Sequence, residues 1–256
     1  MIISIANQKG GVGKTTTAVN LGASLAAAER KTLLVDMDPQ GNSTSGFGID
    51  KRTLAATIYE VLIGTRTLGE VLCKTELEFL DLVPSNTTLF GADVELVDVE
   101  NRERLFLDAL GPFRDAYEYI LVDCPPALSL LTINALTASD AVLIPIQCEY
   151  YAMEGLGQLL QTVQLVQGRL NPNLDILGVL LTMFDGRNNL AHQVAQEVRN
   201  HFSHKVFKTV IPRNIRLSES PSHGKPVILY DIGSKGAESY LELTREFLHP
   251  ERLRPC

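Results

Sequence analysis

The chain has 256 residues, 45% hydrophobic and 21% charged, with no tryptophan and a formal net charge of −7. Those proportions exclude a disordered chain, and the length suffices for one large α/β unit with a substantial core, so a single domain over 1–256 is expected. The longest apolar runs, "AVLIPI" at 141–146 and "ILGVLL" at 176–181, fall far below the roughly 20 residues that span a bilayer, and no positively charged leader precedes the first of them; a cytoplasmic protein without a membrane partner is expected.

Charge is unevenly spread. Residues 76–118 hold eleven Asp/Glu against three Lys/Arg, whereas 185–225 hold seven Lys/Arg against three acids and four of the five histidines. A basic face on an acidic protein is the consequence. Cys73, Cys124, Cys148 and Cys256 show neither C-x-x-C pairing nor nearby histidines at metal-ligand spacing, which disfavours zinc or a disulfide framework and leaves reduced, mostly buried thiols.

In chain order, "IISIA" (2–6) reads as an apolar strand, followed by a glycine-rich turn and a helical pattern over 14–28. "TLLVD" (32–36) is the next strand, and 41–58, rich in Gly, Ser and Thr at its start, reads as a mobile surface loop. Strands "FLDLVP" (79–84), "YILVD" (119–123), "AVLIPI" (141–146), "ILGVLLT" (176–182) and "KVFKTVI" (205–211) then alternate with helical patterns over 100–110, 129–138, 154–169, 190–202 and 237–248. Uniformly apolar strands alternating with helices specify βαβ units, hence a doubly wound, mostly parallel α/β sheet flanked by helices.

The first turn, "NQKGGVGKTTTAVN" (7–20), fits the phosphate-loop pattern G-x-x-x-x-G-K-[ST] at Gly13, Lys14 and Thr15 but has Gln8 where the pattern asks for glycine, and it carries an additional Lys9. Gly10, Gly11 and Gly13, with Val12 between them, bring backbone N–H groups close to a polyphosphate, while Lys14 suits its β/γ-phosphates and the hydroxyl of Thr15, next to Thr16, suits Mg²⁺. Asp123, closing "YILVD", is the expected second anchor for the metal, directly or through water. "LLVDMDPQGN" ends in Asp36 and Asp38, which period two directs to one side. A carboxylate with an ordinary pKa near 3.9 is a poor base for water, so Asp38 is read as orienting a water, whereas Asp36 is left open between a solvated carboxylate and a group near the metal.

"KGGVGKTT", "DMDPQGN", "VDCPP" and "PRNIRLSESPSHGKP" together resemble the deviant Walker A ATPases of the ParA/MinD superfamily, and specifically the ParA/Soj chromosome-partitioning type, over nearly the whole chain. The resemblance implies a P-loop ATPase of slow turnover, with ATP and Mg²⁺ as ligands. It implies that Lys9 reaches across an ATP-dependent homodimer to the phosphates of the other subunit, that Asp38 positions the hydrolytic water, and that Pro212 and Asn214 of "IPRN" cradle adenine. It further implies nonspecific binding of double-stranded DNA through Arg187 and Arg216, nucleoid association, and a centromere-binding partner of the ParB/Spo0J kind that stimulates hydrolysis.

Physics accords with the trans lysine: two facing triphosphates repel, and a cation lent by each subunit offsets that repulsion. Relatives with the same loop have other outputs. A MinD-like membrane-surface ATPase needs a basic amphipathic C-terminal helix, whereas "GAESYLELTREFL" mixes in Glu238, Glu242 and Glu246. A metal-cluster reductase needs paired cysteines, and a small-molecule ATP-dependent enzyme leaves Lys9 unexplained.

Overall fold

The computed structural model describes residues 1–149 and 152–249, so Cys256 lies outside the described residues. Seven strands, β1 (Ile2–Ile5), β2 (Thr32–Asp36), β3 (Cys73–Lys74), β4 (Leu80–Val83), β5 (Tyr119–Asp123), β6 (Ala141–Gln147) and β7 (Asp175–Thr182), form one sheet in the order β3-β4-β2-β5-β1-β6-β7. Every pairing is parallel except β3 with β4. The doubly wound α/β architecture expected from the sequence is therefore present, with a short antiparallel edge that the sequence did not announce.

Period two sorts the strands' side chains between two cores. Ile3, Ile5, Leu34, Leu121, Leu143 and Leu180 pack against helix α1 (Lys14–Ala27) and the helix Lys235–Leu248. The alternate residues, including Leu33, Val35, Val122 and Ile144, pack with Phe106, Leu131, Leu159 and Val198 from helices on the opposite face. Burial on both faces explains strands that are apolar throughout rather than alternating. β1 and β5 are neighbours, and the chain crosses from β1 to β2 in one direction along the sheet and from β5 to β6 in the other; the crevice beyond their carboxyl ends is where such folds bind ligands.

Two expectations change. Residues 205–211 do not form a strand: Ser203–Lys205 is a 3-10 turn, and only isolated bridges join Val179 to Val206 and Phe184 to Pro212. Glu246 accepts from the backbone N–H groups of Lys208 (2.6 Å) and Thr209 (2.8 Å), drawing the middle of the segment toward the C-terminal helix instead of β7. Nor is 41–58 a surface loop throughout, because it opens with helix α2 (Asn42–Gly46), in which Ser43 and Thr44 are fully buried.

Where Phe207 crosses β7 it lies on Gly178; a Cβ added there would stand 2.8 Å from the ring and 3.0 Å from the Lys205 carbonyl oxygen. Gly178→Ala is expected to destabilise the protein by about 1–3 kcal/mol, each kcal/mol lowering Tm by about 2–4 °C in a chain of this size. An unchanged thermal melt would mean that Phe207 moves aside without cost.

Candidate nucleotide-binding site

β1 exits into the glycine-rich turn. Gly11 (φ 74°) and Gly13 (φ 88°) occupy left-handed conformations that side chains disfavour. The turn is pinned from outside: Asn7 Nδ2 donates to the Pro145 carbonyl (2.8 Å), Lys9 N–H to Asn7 Oδ1 (3.0 Å), and the Thr182 hydroxyl to the carbonyl of buried Val12 (2.8 Å). Gly10 and Gly11 face open space, and α1 begins at Lys14 with no side-chain cap and no acid in its first turn. Its unpaired N–H groups and positive helix end suit an anion.

The two lysines of the turn differ. Lys14 is 6% exposed and its ammonium donates to the Lys9 carbonyl (3.1 Å); burial pushes its pKa down, against the attraction of Asp123, Cys124 and Asp38. Lys9 stands at the rim, its ammonium on Glu149 Oε2 at 3.0 Å, while the other Glu149 oxygen accepts from Gln147 Nε2 (2.5 Å).

Asp36 and Asp123 close adjacent parallel strands in register, and neither is exposed. Asp36 accepts from Thr44 N–H (2.8 Å), Thr44 Oγ1 (2.7 Å) and Asp38 N–H (3.2 Å); it is buried and hydrogen-bonded, which removes the solvated alternative left open by the sequence. Ser43 Oγ donates to Asp123 Oδ2 (2.8 Å), and the Thr15 hydroxyl also faces Asp123. Burial raises both carboxyl pKa values; for Asp123 the neighbouring Asp36 charge is the next cause. Asp123 Oδ1 is buried without a hydrogen-bond partner. An orphaned carboxylate oxygen beside a threonine hydroxyl fits a hard divalent cation such as Mg²⁺. Asp38, 7% exposed, accepts from Gln40 N–H (2.9 Å), so its turn is closed by its own side chain.

Thr15 and Thr16 are half-buried at the foot of two cavities. One, of about 270 Å³, is lined by Gly13, Thr16, Thr182, Pro212, Asn214 and Tyr240. Pro212 and Asn214 thus come within reach of the loop from the far end of the sequence. Asn214 Oδ1 accepts from Arg216 N–H (2.9 Å) and Leu217 N–H (3.4 Å), capping the helix Ile215–Glu219 and leaving its amide N–H donors for a ligand. The other cavity, of about 400 Å³, is lined by Thr15, Asn20, Ser45, Pro221 and Lys225 among others.

The two expected DNA contacts are each answered by acids of their own chain. Arg187 forks onto Asp185 (3.0 and 2.9 Å) with its side chain 91% exposed. Arg216 holds Glu219 (2.8 Å) and Asp231 (3.0 Å). Ser43, Thr44, Asn7, Thr182 and Glu149 were missed by the sequence reading; short polar residues in "GNSTSG" carry no signal of burial, and Asn7, Thr182 and Glu149 reach the loop only through the fold.

A family model described as an AAA domain matches residues 1–176. The chain is 61% identical over 247 residues to the chromosome partitioning protein ParA of Myxococcus xanthus, covering 96% of this chain and 87% of that protein. It is 58% identical to the sporulation initiation inhibitor protein Soj of Bacillus subtilis, covering 96% and 97%. The chain belongs to the ParA/Soj family of ATPases. Among solved structures, cobyrinic acid a,c-diamide synthase of Mycobacterium smegmatis with bound ATP analogue and magnesium shares the fold at a TM-score of 0.86 and 36% identity, over 98% of this chain and 95% of that one.

Because the folded-state pKa values of Asp36 and Asp123 are raised, the folded chain binds more protons than the unfolded chain above the ordinary carboxylate range, and metal-free stability falls as pH rises through the folded values. Asp123→Asn is therefore expected to raise the Tm of the nucleotide-free, metal-free protein at pH 8, with the gap closing at pH 5, and to lose the Tm increase that Mg²⁺ with nucleotide produces. A gap constant with pH would show that Asp123 is ionised without cost.

Proposed function

We propose that this ParA/Soj-family chain is a single-domain, nucleoid-associated DNA-partitioning ATPase in the cytoplasm. In this reading it forms a homodimer on MgATP, binds double-stranded DNA nonspecifically as that dimer, and is released when a ParB/Spo0J-like partner stimulates its slow hydrolysis. The observation that carries the reading is the division of labour between two lysines on one turn. Lys14 is buried at the head of α1, whereas Lys9 sits at the rim in a surface ion pair with Glu149. Such pairs contribute about 0–1 kcal/mol, so the Lys9 ammonium is readily exchanged for a triphosphate presented by a second subunit.

The residues divide the chemistry among themselves. Gly10, Gly11, Val12, Gly13 and Thr16 offer backbone donors to the phosphates, and Lys14, whose pKa burial lowers against the pull of Asp123, Cys124 and Asp38, directs its ammonium to them. Thr15 and Asp123 are the groups that would hold Mg²⁺, which when bound neutralises charge on phosphate oxygens. Asp38, fixed by its own turn and by Asp36, orients water for attack; loss of the terminal phosphate removes the contact for the partner's lysine and loosens the dimer. Pro212 and Asn214 border the cavity next to Gly13, which supports their role toward adenine.

For DNA, Arg187 and Arg216 must leave their acidic partners, a small cost for exposed pairs that phosphate oxygens offset. Dimerisation doubles the contacts on one duplex and raises affinity through effective concentration. The membrane-surface alternative is disfavoured by the helix Lys235–Leu248, whose apolar residues Tyr240, Leu243 and Phe247 are buried in the core; no helix among the described residues is long and apolar enough to cross a membrane. A small-molecule enzyme is disfavoured by the higher identity to ParA and Soj than to the diamide synthase.

DNA retention measured with ATP, ADP and no nucleotide should be strong only with ATP, fall steeply between 50 and 200 mM salt, and drop about tenfold or more in Arg216→Glu. Equal retention in all three nucleotide states would refute the gated reading. Asp38→Ala is expected to keep nucleotide affinity while turnover falls about 10²-fold; unchanged turnover would discard the water-orienting role.

A further inference from the structure

The hydrogen bonds that hold Asp36 continue to the buried segment after β4. Thr44 Oγ1, which donates to Asp36, accepts from Ser85 N–H at 2.9 Å, just beyond β4. Gly41 packs on the same residue: a Cβ there would stand 2.6 Å from the Ser85 carbonyl oxygen, so the Asp38–Gly41 turn and the 84–86 segment meet backbone to backbone. Asn86 then caps a helical run comprising Thr87–Gly91 and Ala92–Glu95, its side chain accepting from Thr88 N–H at 3.0 Å.

This run is apolar on two faces. Leu89, Ala92 and Leu96 point into the core. Phe90, Val94 and Val97, at spacing i, i+4 and i+7, are exposed by 54, 74 and 53%, with Val99 beside them. A surface helix ordinarily presents polar residues outward. The other exposed positions from 87 to 100 are Thr87, Thr88 and the acids Asp93, Glu95, Asp98 and Glu100, and no Lys or Arg occurs over residues 75–101. Arg102, the next cation, turns back onto the Val97 carbonyl and Glu103. An apolar stripe rimmed mainly by acids, with Arg102 folded onto one end of it, has the composition of an interaction surface.

We propose that this face docks a basic amphipathic segment of a partner protein, its apolar side chains on Phe90, Val94 and Val97 and its Lys/Arg on the surrounding acids, and that docking acts on the Asp36–Asp38 turn through Ser85 and Thr44. The proposal rests on the reading of the chain as a partner-stimulated ATPase. Charge selects the occupant: the acids Asp93, Glu95, Asp98 and Glu100 around the stripe attract a basic segment.

The test uses the ParB/Spo0J-like protein of the same genome as the probe, with the full chain and its Val94→Asp/Val97→Asp and Asp93→Lys/Asp98→Lys variants. Both substituted pairs are on the outer surface, and a thermal melt checks that folding is retained. The expected result is unchanged basal ATP turnover in both variants, with the partner concentration for half-maximal stimulation raised about tenfold or more, and photocrosslinking to the partner from a benzophenone side chain at position 90. Stimulation of both variants at the wild-type concentration overturns the docking surface alone. A wild-type chain that the partner does not stimulate overturns the partner-stimulated reading, and the docking proposal with it. Self-association of the nucleotide-free wild type that Val94→Asp/Val97→Asp abolishes assigns the face to a second copy and also overturns the proposal.

Discussion

Two carboxylates buried side by side at the ends of β2 and β5 set the electrostatic terms for the rest of this molecule. Neither Asp36 nor Asp123 meets water; burial raises the pKa of both, and the neighbouring Asp36 charge makes ionisation of Asp123 harder still. Hydroxyls of Ser43 and Thr44, and the backbone of the following turn, satisfy most of their oxygens, but Asp123 Oδ1 is left without a partner. A phosphate cradle alone would not explain that arrangement. The proposed seat for a divalent cation accounts for it: a cation there would fit the orphaned oxygen and offset the repulsion that burial amplifies.

The same constraint links distant parts of the chain. α2 exists to bring Ser43 and Thr44 beneath the carboxylates, and Gly41 permits the close backbone approach to Ser85. Asp38 is consequently fixed from two directions: by its own turn and by the hydrogen bond of its N–H to Asp36. On the other side of β1, Thr182 and Asn7 hold the glycine turn open. The site is thus supported from the segment after β4, from β6 and from β7.

Much of this architecture follows from the order of residues. Strands buried on both faces write themselves as continuous apolar runs, and the glycine turn entering α1 has a spacing that few other structures need. The failures share a cause: they depend on long-range partners. "KVFKTVI" has strand composition, yet Glu246, far along the chain, captures the backbone N–H groups of Lys208 and Thr209 and interrupts its pairing with β7. "GNSTSG" has loop composition, yet burial against two aspartates makes it a helix that supports the site. β3 has only two residues, too few for any periodicity to show. Arg187 and Arg216 stand where the family resemblance puts DNA contacts, but their intrachain acids were not foreseeable from composition alone.

Lys9 is where the electrostatics of one subunit are proposed to meet those of another. Sedimentation velocity with Mg²⁺ and a non-hydrolysable ATP analogue, compared with ADP and with Lys9→Ala, addresses this most directly. The account requires a dimer of the unsubstituted chain with the triphosphate, and single copies with ADP or in Lys9→Ala. Single copies of the unsubstituted chain at saturating analogue, or an equal dimer in Lys9→Ala, would contradict it.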